Sequence, residues 1–191
     1  DIDKFVDGAS VSKVGELPFS ICQNNTNIFD IFLASNELIS HELINCYQDD
    51  GIILEPAGAL SICGLSKLSE KMDLKHKNIV CVLSGGNNDI SRYNEIMELN
   101  LNYLGLKHYF LVKFIQKPGQ LKTFITEVLG TNDDITRFEY IKKTNKQYGD
   151  VLIGIELSNK EDLSNFITNL DNNNFIYQKL EEDDLVYNLL V

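Results

Sequence analysis

The 191-residue sequence contains no apolar run near the roughly 18 residues that suggest a membrane-spanning helix. Its first residues lack both the basic region and the apolar core of a signal peptide. Because 43% of the residues are hydrophobic, we expect packed cores, in one generous domain or two small ones. These features predict a soluble, globular, cytoplasmic protein.

Positive charge is also scarce. Seventeen Lys and Arg residues stand against 28 Asp and Glu, which gives a formal net charge of -11 at pH 7. The basic residues are scattered and do not form a stripe interleaved with aromatic residues. We therefore expect neither nucleic acids nor anionic membranes as partners.

Cysteine motifs are missing as well. The four cysteines lie far apart, form no CxxC pair and have no His at ligand spacing: Cys22, Cys46, Cys63 and Cys81. The pattern predicts no zinc or other metal site and no disulfide framework. We expect all four to be reduced thiols, most of them buried.

The first half of the sequence alternates short apolar runs with helical patterns. Strands are predicted at 28–33, 52–54 and 78–83, and helices at 35–49, from Pro56 onward, and from about 87 to 102. The run 78–83 is apolar on both faces, which favours a buried parallel strand. Alternating strands and helices indicate an α/β layer architecture.

After a linker at 101–107 the pattern changes. Strands are predicted at 109–115, 135–143, 151–157 and 175–178, with a polar hairpin segment at 144–150. Between the first two strands, Pro118 opens and Gly130 closes a helix with five apolar residues at helical spacing: Leu121, Phe124, Ile125, Val128 and Leu129. A second amphipathic helix carries Leu163, Phe166, Ile167 and Leu170. The order βαββαβ predicts a ferredoxin-like unit, followed by a short closing helix or tail after Glu181.

The sharpest local signal in the first half is Ser84-Gly85-Gly86-Asn87, at the carboxyl end of the predicted strand 78–83. Ligands bind at the carboxyl ends of strands in open α/β sheets, and glycines let the backbone approach a ligand closely. A plain strand-to-helix turn explains the motif equally well.

Two more segments strengthen the signal. Three segments, taken in order along the chain, resemble the threonine dehydratase and serine racemase branch of fold type II pyridoxal-phosphate enzymes. They are Asp7-Gly8-Ala9-Ser10-Val11, Leu54-Glu55-Pro56-Ala57-Gly58-Ala59 and Cys81 to Asn87. The resemblance implies that Ser84 hydrogen-bonds the pyridine nitrogen of pyridoxal 5'-phosphate beside Gly85 and Gly86, that Glu55 lines the cofactor pocket, and that Asp7 and Gly8 form its wall. Two alternatives stay open: Glu55 as a carboxylate stabilised by a helix dipole, and Asp7-Gly8 as an ordinary tight turn.

Two parts of that family's machinery are not found in the sequence. In the family, the lysine that forms the Schiff base and the glycine-rich phosphate loop precede the matched segments, and no lysine here has a matching context. The sequence also opens at Asp1 without an initiator Met. We expect a piece of a longer protein that contains no catalytic residue and is inactive alone.

The second half carries Lys117-Pro118-Gly119-Gln120-Leu121, which resembles the P-G-x-L turn of ACT-like domains. With Asn132 to Tyr140 and the βαββαβ order, it resembles the single regulatory domain of short-form biosynthetic threonine dehydratases over 105–191. The resemblance implies allosteric control, with isoleucine as inhibitor and valine as activator.

An effector site can be predicted from the residue types in this half. Backbone N–H groups near Gly119 suit a carboxylate, and Asp134 or Glu139 suits an ammonium group. A branched side chain would lie among Leu121, Phe138 and Tyr140. The alternative is that Phe138 and Tyr140 belong only to the core, and Arg137 and Glu139 should face the opposite side of the strand.

The fold prediction is an α/β chain. Residues 1–102 form the C-terminal portion of a fold type II catalytic domain, and 105–191 form a ferredoxin-like, ACT-like regulatory domain. The resemblance implies a lyase that converts L-threonine to 2-oxobutanoate and ammonia in isoleucine biosynthesis, and a homo-oligomer, a tetramer as is common in the family. The alternatives are a serine racemase or catabolic serine/threonine dehydratase, a stand-alone amino-acid sensor, and a non-catalytic interaction protein. We also expect apolar surface in the first half to cause association, because sheet strands without neighbours stay exposed.

Overall fold

The computed structural model describes residues 3–28, 30–140, 142, 146–181 and 185–190. The chain divides into two compact units, Asp1–Tyr103 and Leu104–Val191. Across these described ranges, no helix is both long and apolar enough to cross a membrane.

Unit 1 is built from helices. They are α1 (Glu16–Asn24), α2 (Asn36–Asp50), α3 (Pro56–Lys71) and α4 (Tyr93–Leu104), the last preceded by a 3₁₀ turn at Ile90–Arg92. The Ser35 side chain caps α2 by accepting a hydrogen bond from the Leu38 amide at 3.3 Å, and Gly51 ends the helix at φ 68°. Pro56 occupies the start of α3, where its missing N–H is not needed. The predicted starts of α2 and α3 are confirmed.

The core of unit 1 lies where α2 and α3 pack together with one face of α4. Ile39, Ala59, Cys63 and Ile96 are at most 1% exposed, and Phe5 joins them from the N-terminal turn. Truncating one of the two isoleucines to Ala would cost about 2–5 kcal/mol, which is a large fraction of a domain's stability.

The strands predicted for unit 1 are not formed. Among the described residues, the sheet consists of four strands that all belong to unit 2. The described residues of the predicted segments 28–33, 52–54 and 78–83 therefore pair with no neighbouring strand, and without pairing an apolar run is not a strand. Phe29, in the first of these segments, lies outside the described residues. Val80 and Val82 are 86% and 71% exposed, so the prediction that 78–83 is buried is wrong for this structure. The segment is held on α3 by the Ser61 hydroxyl, which donates to the Val82 carbonyl at 2.9 Å.

Unit 2 has the predicted βαββαβ order. Its strands are β1 (Lys107–Ile115), β2 (Asp134–Tyr140), β3 (Tyr148–Glu156) and β4 (Ile176–Leu180). They form one antiparallel sheet in the order β2-β3-β1-β4, in which Phe110 of β1 lies opposite Ile153 of β3. The helices are α5 (Gln120–Thr123), α6 (Asp162–Asn172) and α7 (Leu185–Leu190). The ferredoxin-like prediction is confirmed.

One face of this sheet carries the core of unit 2. Its fully buried side chains come from the two central strands and from the helical segments over them: Phe110, Val112, Phe114, Val151, Ile153, Ile155, Phe124, Val128, Phe166 and Leu170. Phe114 lies at the centre, with ring centroids 5.4 Å from Phe124 and 5.3 Å from Phe175. Such tilted aromatic pairs add to the gain from burial.

The helix after Pro118 differs from the predicted regular one. It is α-helical only over α5 and continues as a π-helix at Phe124–Val128, where the Leu129 amide donates to the Phe124 carbonyl. Phe124 and Val128 are buried, but Leu121 and Ile125 are 41% and 48% exposed. The widened turn changes the side-chain periodicity, so only part of the predicted apolar face contacts the sheet.

Strand β2 contains a bulge between Ile135 and Arg137. Ile135 lies opposite Ile155, and Phe138, three residues later, lies opposite Ile153, two residues earlier on β3. The extra residue places both Ile135 and Phe138 on the core face.

Candidate functional site

The start of α3 and the Ser84-Gly85-Gly86 loop are joined by two hydrogen bonds in unit 1. The Glu55 amide donates to the Gly85 carbonyl at 3.2 Å. The Asn88 side-chain amide donates to the Leu54 carbonyl at 2.9 Å. Two of the three segments that carry the cofactor resemblance are therefore in direct contact.

Glycine is required where these segments meet. Gly85 has φ +77°, a left-handed conformation that side chains disfavour, and a Cβ atom there would overlap the Glu55 carboxyl group. A Cβ on Gly58 would run into the Ser84 carbonyl oxygen and lie 2.9 Å from that of Gly85. The loop therefore approaches α3 as closely as backbone atoms permit.

The third segment closes the site from the N-terminal side. The Gly8 amide donates to Oδ1 of Asp7 at 2.8 Å, which stabilises the turn. A Cβ on Gly8 would lie 3.3 Å from Cβ of Ala57 and 3.5 Å from Oε1 of Glu55. Gly8 and Gly85 thus both face the half-buried Glu55 carboxylate, and the predicted cofactor-binding residues do come together.

The Glu55 carboxylate is not used as a helix cap. Glu55 occupies the N-cap position of α3, where the helix dipole favours negative charge, but its side chain makes no capping hydrogen bond. Dipole stabilisation and a role in lining a pocket are both compatible with this position.

The residues present fit pyridoxal 5'-phosphate. Ser84 is exposed, so its neutral hydroxyl is accessible to a ring nitrogen. Side chains at 85 and 86 would meet the Glu55 carboxyl group and the Ile53 carbonyl oxygen, so glycine keeps this loop against the start of α3. Oδ1 of Asn88 is buried and has no hydrogen-bond partner within the part of the chain that the structure describes. No comparable set for the phosphate group was predicted from the sequence.

Two residues of this region escaped the sequence analysis, Asn88 and Arg92. Asn88 fixes the loop to Leu54, and Arg92 Nη2 donates to the Phe5 carbonyl at 2.8 Å. Between them, Asp89 accepts a hydrogen bond from the Ser91 amide at 2.9 Å, which holds the pKa of its carboxyl below the ordinary value. In the sequence, these two residues were indicated only by the run of polar residues directly after Gly86.

In unit 2 the turn between β1 and α5 borders an open cavity of about 490 Å³. Its lining includes Lys117, Gly119, Gln120 and Asn174. Gly119 has φ +90° and a Cβ there would meet nothing within 4 Å, so glycine is needed for the backbone angle and not for space. The cavity therefore has basic and amide groups around a backbone turn.

The other predicted effector residues do not line this cavity. Phe138 packs in the core, with its ring 6.1 Å from that of Phe114. Glu139 faces the other side of β2, where its carboxylate pairs with Arg137 at 2.7 Å. Tyr140, 36% exposed, lies at the same end of the sheet as Gly119, because its ring covers Gly149 beside Gln116.

Asp134 lies still farther away. It pairs with Glu156 at the opposite end of β2, six residues from Tyr140, which corresponds to about 20 Å along a strand. Leu121 of α5 is 41% exposed. Strand alternation and strand length therefore prevent the six predicted residues from surrounding one ligand within a single copy of the chain.

Within the described residues, no group of three or more His, Cys, Asp or Glu side chains could hold a metal ion. All four cysteines are free; Cys46 and Cys63 are buried, Cys81 is half-buried and Cys22 is exposed.

Comparison with known proteins shows what the two units resemble. A family described as the C-terminal regulatory domain of threonine dehydratase matches residues 98–190. The biosynthetic L-threonine dehydratase IlvA of Halalkalibacterium halodurans is 50% identical over 190 residues, covering 100% of this chain and 45% of that protein. Over its whole length the chain is similar to part of a biosynthetic threonine dehydratase. The corresponding dehydratase of Bacillus subtilis is 45% identical over 190 residues, covering 100% of this chain and 44% of that protein.

Among solved structures, the processed form of threonine deaminase isoform 2 from Solanum lycopersicum is 36% identical, covering 52% of this chain and 29% of that one, with a TM-score of 0.49. The chain thus spans about 45% of the length of the bacterial dehydratases it matches. The matches extend beyond the regulatory domain to the segments around Gly8, Glu55 and Ser84, since they cover the whole chain. They favour the dehydratase interpretation over a serine racemase or a catabolic relative.

Proposed function

We propose that this chain is the regulatory part, together with one side of the cofactor site, of a cytoplasmic pyridoxal-phosphate-dependent threonine dehydratase. The whole enzyme would convert L-threonine to 2-oxobutanoate and ammonia on the route to isoleucine. The observation that carries the proposal is that Gly8, Gly58 and Gly85 bring three separate segments together around Glu55. We further propose that residues 1–102 belong to the catalytic domain and 105–191 form the effector-sensing domain.

The chain's own residues would bind and orient the cofactor. When bound, pyridoxal phosphate supplies the electron-withdrawing ring that stabilises the negative charge developing on the substrate. The Ser84 hydroxyl would hydrogen-bond the ring nitrogen, and because a hydroxyl carries no charge it would leave that nitrogen largely unprotonated. This arrangement favours β-elimination over transamination. Glu55, Gly85 and Gly86 would line the pocket, and Asp7 and Gly8 would close its wall.

We propose that unit 2 senses branched-chain amino acids, with isoleucine as inhibitor and valine as activator. The turn at Gly119 offers backbone N–H groups for a carboxylate, and Lys117 adds positive charge. Asp134 and Glu139 of the same copy are not near this turn, since one lies at the far end of β2 and the other on its opposite face. An ammonium partner from either residue would have to come from a second copy, which supports a homo-oligomer, a tetramer in our proposal.

Calorimetric titration of this chain with isoleucine, valine and threonine tests the sensor proposal. We expect the first two to bind, and Gly119→Ala to weaken binding at least tenfold by straining the turn. Gly51→Ala is a matched control, because Gly51 also has positive φ and open space around it but ends α2 in unit 1. Indifference of the unsubstituted chain to isoleucine and valine would remove the proposal.

The catalytic proposal has a separate test. We expect ammonia release from L-threonine with pyridoxal phosphate in the full-length dehydratase, and none from this chain alone. A stand-alone sensor is the second candidate, favoured by the complete core of unit 2. Sequencing the coding region upstream of Asp1 separates the two, because only the dehydratase requires a Schiff-base lysine there.

A further inference from the structure

Arg92 links the end of the Ser84-Gly85-Gly86 segment to the Asp7-Gly8 turn. Its Nη2 donates to the Phe5 carbonyl at 2.8 Å, and its guanidinium carbon lies 5.0 Å from the centre of the Phe5 ring. The side chain is only 21% exposed. A hydrogen bond and a cation–π contact from one guanidinium to one residue fix the position of that residue closely.

Two longer contacts of Arg92, both to carboxylates, balance its charge. Nε lies 3.6 Å from Oε2 of Glu95, and Nη1 lies 4.0 Å from Oδ1 of Asp7. The backbone of Arg92 is held in the 3₁₀ turn that the Asp89 side chain caps. The backbone of Arg92 is therefore fixed, and the hydrogen bond to Phe5 is shorter than its contacts with the two carboxylates.

The position of the turn determines the space around Glu55. Phe5 is 5% exposed and anchors one end of the turn in the core. Three residues later, a Cβ atom added to Gly8 would lie 3.3 Å from Cβ of Ala57 and 3.5 Å from Oε1 of Glu55, so the turn runs close to the start of α3. A shift of the turn by even one ångström would change the room left for the Glu55 carboxylate.

We propose that Arg92 is a positioning residue of the pyridoxal-phosphate site. It does not touch the cofactor; it holds the Phe5–Gly8 turn so that Gly8 and Gly85 frame Glu55. The inference rests on the proposed function, because the site is the one that the dehydratase would use. Arg92 would thus act on the site indirectly, through Phe5 and Gly8.

The first test uses this chain. The amides of Ala9 and Ser10 donate to the Val6 and Asp7 carbonyls at 3.0 and 3.3 Å, so their hydrogen exchange reports on the turn. We expect Arg92→Ala to accelerate their exchange about tenfold. The matched control is Lys71→Ala, which removes an ion pair with Asp30 and a cation–π contact with Phe32 far along α3, and should leave these amides unchanged. Unchanged exchange in Arg92→Ala would overturn the inference.

The second test uses the full-length dehydratase and measures the dissociation constant of pyridoxal phosphate by absorbance. We expect Arg92→Ala to raise it about tenfold, Arg92→Lys to restore part of the affinity by keeping the charge, and Lys71→Ala to leave it unchanged. If Arg92 only stabilised the fold, Arg92→Ala would lower the melting temperature without a selective loss of cofactor affinity. Normal cofactor binding by Arg92→Ala would overturn the inference alone, whereas failure of the unsubstituted enzyme to bind cofactor would overturn both proposals.

Discussion

Two glycines on α3 have opposite surroundings although they lie less than two helical turns apart. Gly58 is buried under the Ser84 and Gly85 carbonyl oxygens, whereas a Cβ on Gly64 would meet nothing within 4 Å. The first position serves the close approach of a loop. The second only reduces helix stability, because glycine is the poorest helix former after proline.

We expect Gly64→Ala to raise the free energy of unfolding by about 0.5–1 kcal/mol, since alanine favours the helix. Gly58→Ala should lower it by about 1–3 kcal/mol, because the new methyl group cannot avoid two backbone oxygens. Urea unfolding followed by circular dichroism measures both. Equal effects of the two substitutions would show that the loop does not press on α3.

The thiols also differ from one another. Burial raises the pKa of Cys63 to about 12, and burial raises that of Cys46 as well. Because the thiolate is the reactive form, neither should react quickly with Ellman's reagent at pH 8 while the chain is folded. We expect the exposed Cys22 to dominate the fast phase, so Cys22→Ser should remove most of it. Loss of the fast phase in Cys63→Ser would contradict the buried position of that thiol.

Strand β1 carries a histidine that should make unit 2 sensitive to acid. His108 is half-buried and its Nε2 lies 3.0 Å from the Gly105 carbonyl. Burial, with repulsion from Lys179, lowers the pKa of His108. The unfolded chain therefore takes up the proton at a higher pH than the folded one. Above the unfolded pKa near 6.5 this difference leaves the free energy of unfolding unchanged. Below it, the free energy of unfolding decreases progressively as the pH falls.

We accordingly expect the free energy of unfolding to fall less between pH 7 and pH 5 in His108→Gln than in the unsubstituted chain. Urea titrations at several pH values measure the difference. His76→Asn, at an exposed position of unit 1, controls for the loss of a histidine. Parallel pH curves for His108→Gln and the unsubstituted chain would refute the assignment.

Elements that depend on local chemistry could be predicted from the sequence. Ser35 capping α2, Pro56 opening α3 and the four strands of unit 2 follow from capping, φ restriction and alternation. The prediction of a strand at 78–83 was wrong because strand formation depends on a neighbouring strand, which no local pattern reveals. The π-helix after α5 was not predicted because the apolar spacing at 121–129 fits a regular helix equally well.

The same distinction applies to the candidate sites. Gly8, Glu55 and Gly85 were predicted from the resemblance to the fold type II enzymes, and the structure brings these residues together. Asn88 and Arg92 were not predictable, since an amide and a guanidinium near a turn have many other uses. The effector set combined residues from both faces and both ends of β2, and a linear motif contains no information on distance.

On the scale of the whole molecule, unit 1 exposes an unusual amount of apolar side chain. Ile31, Leu33 and Val80 are 79%, 89% and 86% exposed, in segments that have no strand partner among the residues described. Exposed apolar side chains of this kind promote association. We expect sedimentation velocity to show self-association of the chain that increases with concentration.

A charge placed on that surface should suppress the association. We expect Val80→Glu to shift the distribution toward the monomer. Ile90→Glu makes the same change in charge at an equally exposed position, 84%, on the 3₁₀ turn, and should have less effect. A chain that remains monomeric at every concentration would contradict the prediction.

The bulge in β2 determines which changes in length this strand can accept. Thr136 is the extra residue between two otherwise consecutive pairs, Ile135 with Ile155 and Arg137 with Gly154. Loss of Thr136 alone would leave Phe138 opposite Ile153 and therefore on the core face. Descendants of this sequence can therefore lose a residue at the bulge, whereas a residue lost farther along β2 would turn the side chains beyond it to the opposite face of the sheet.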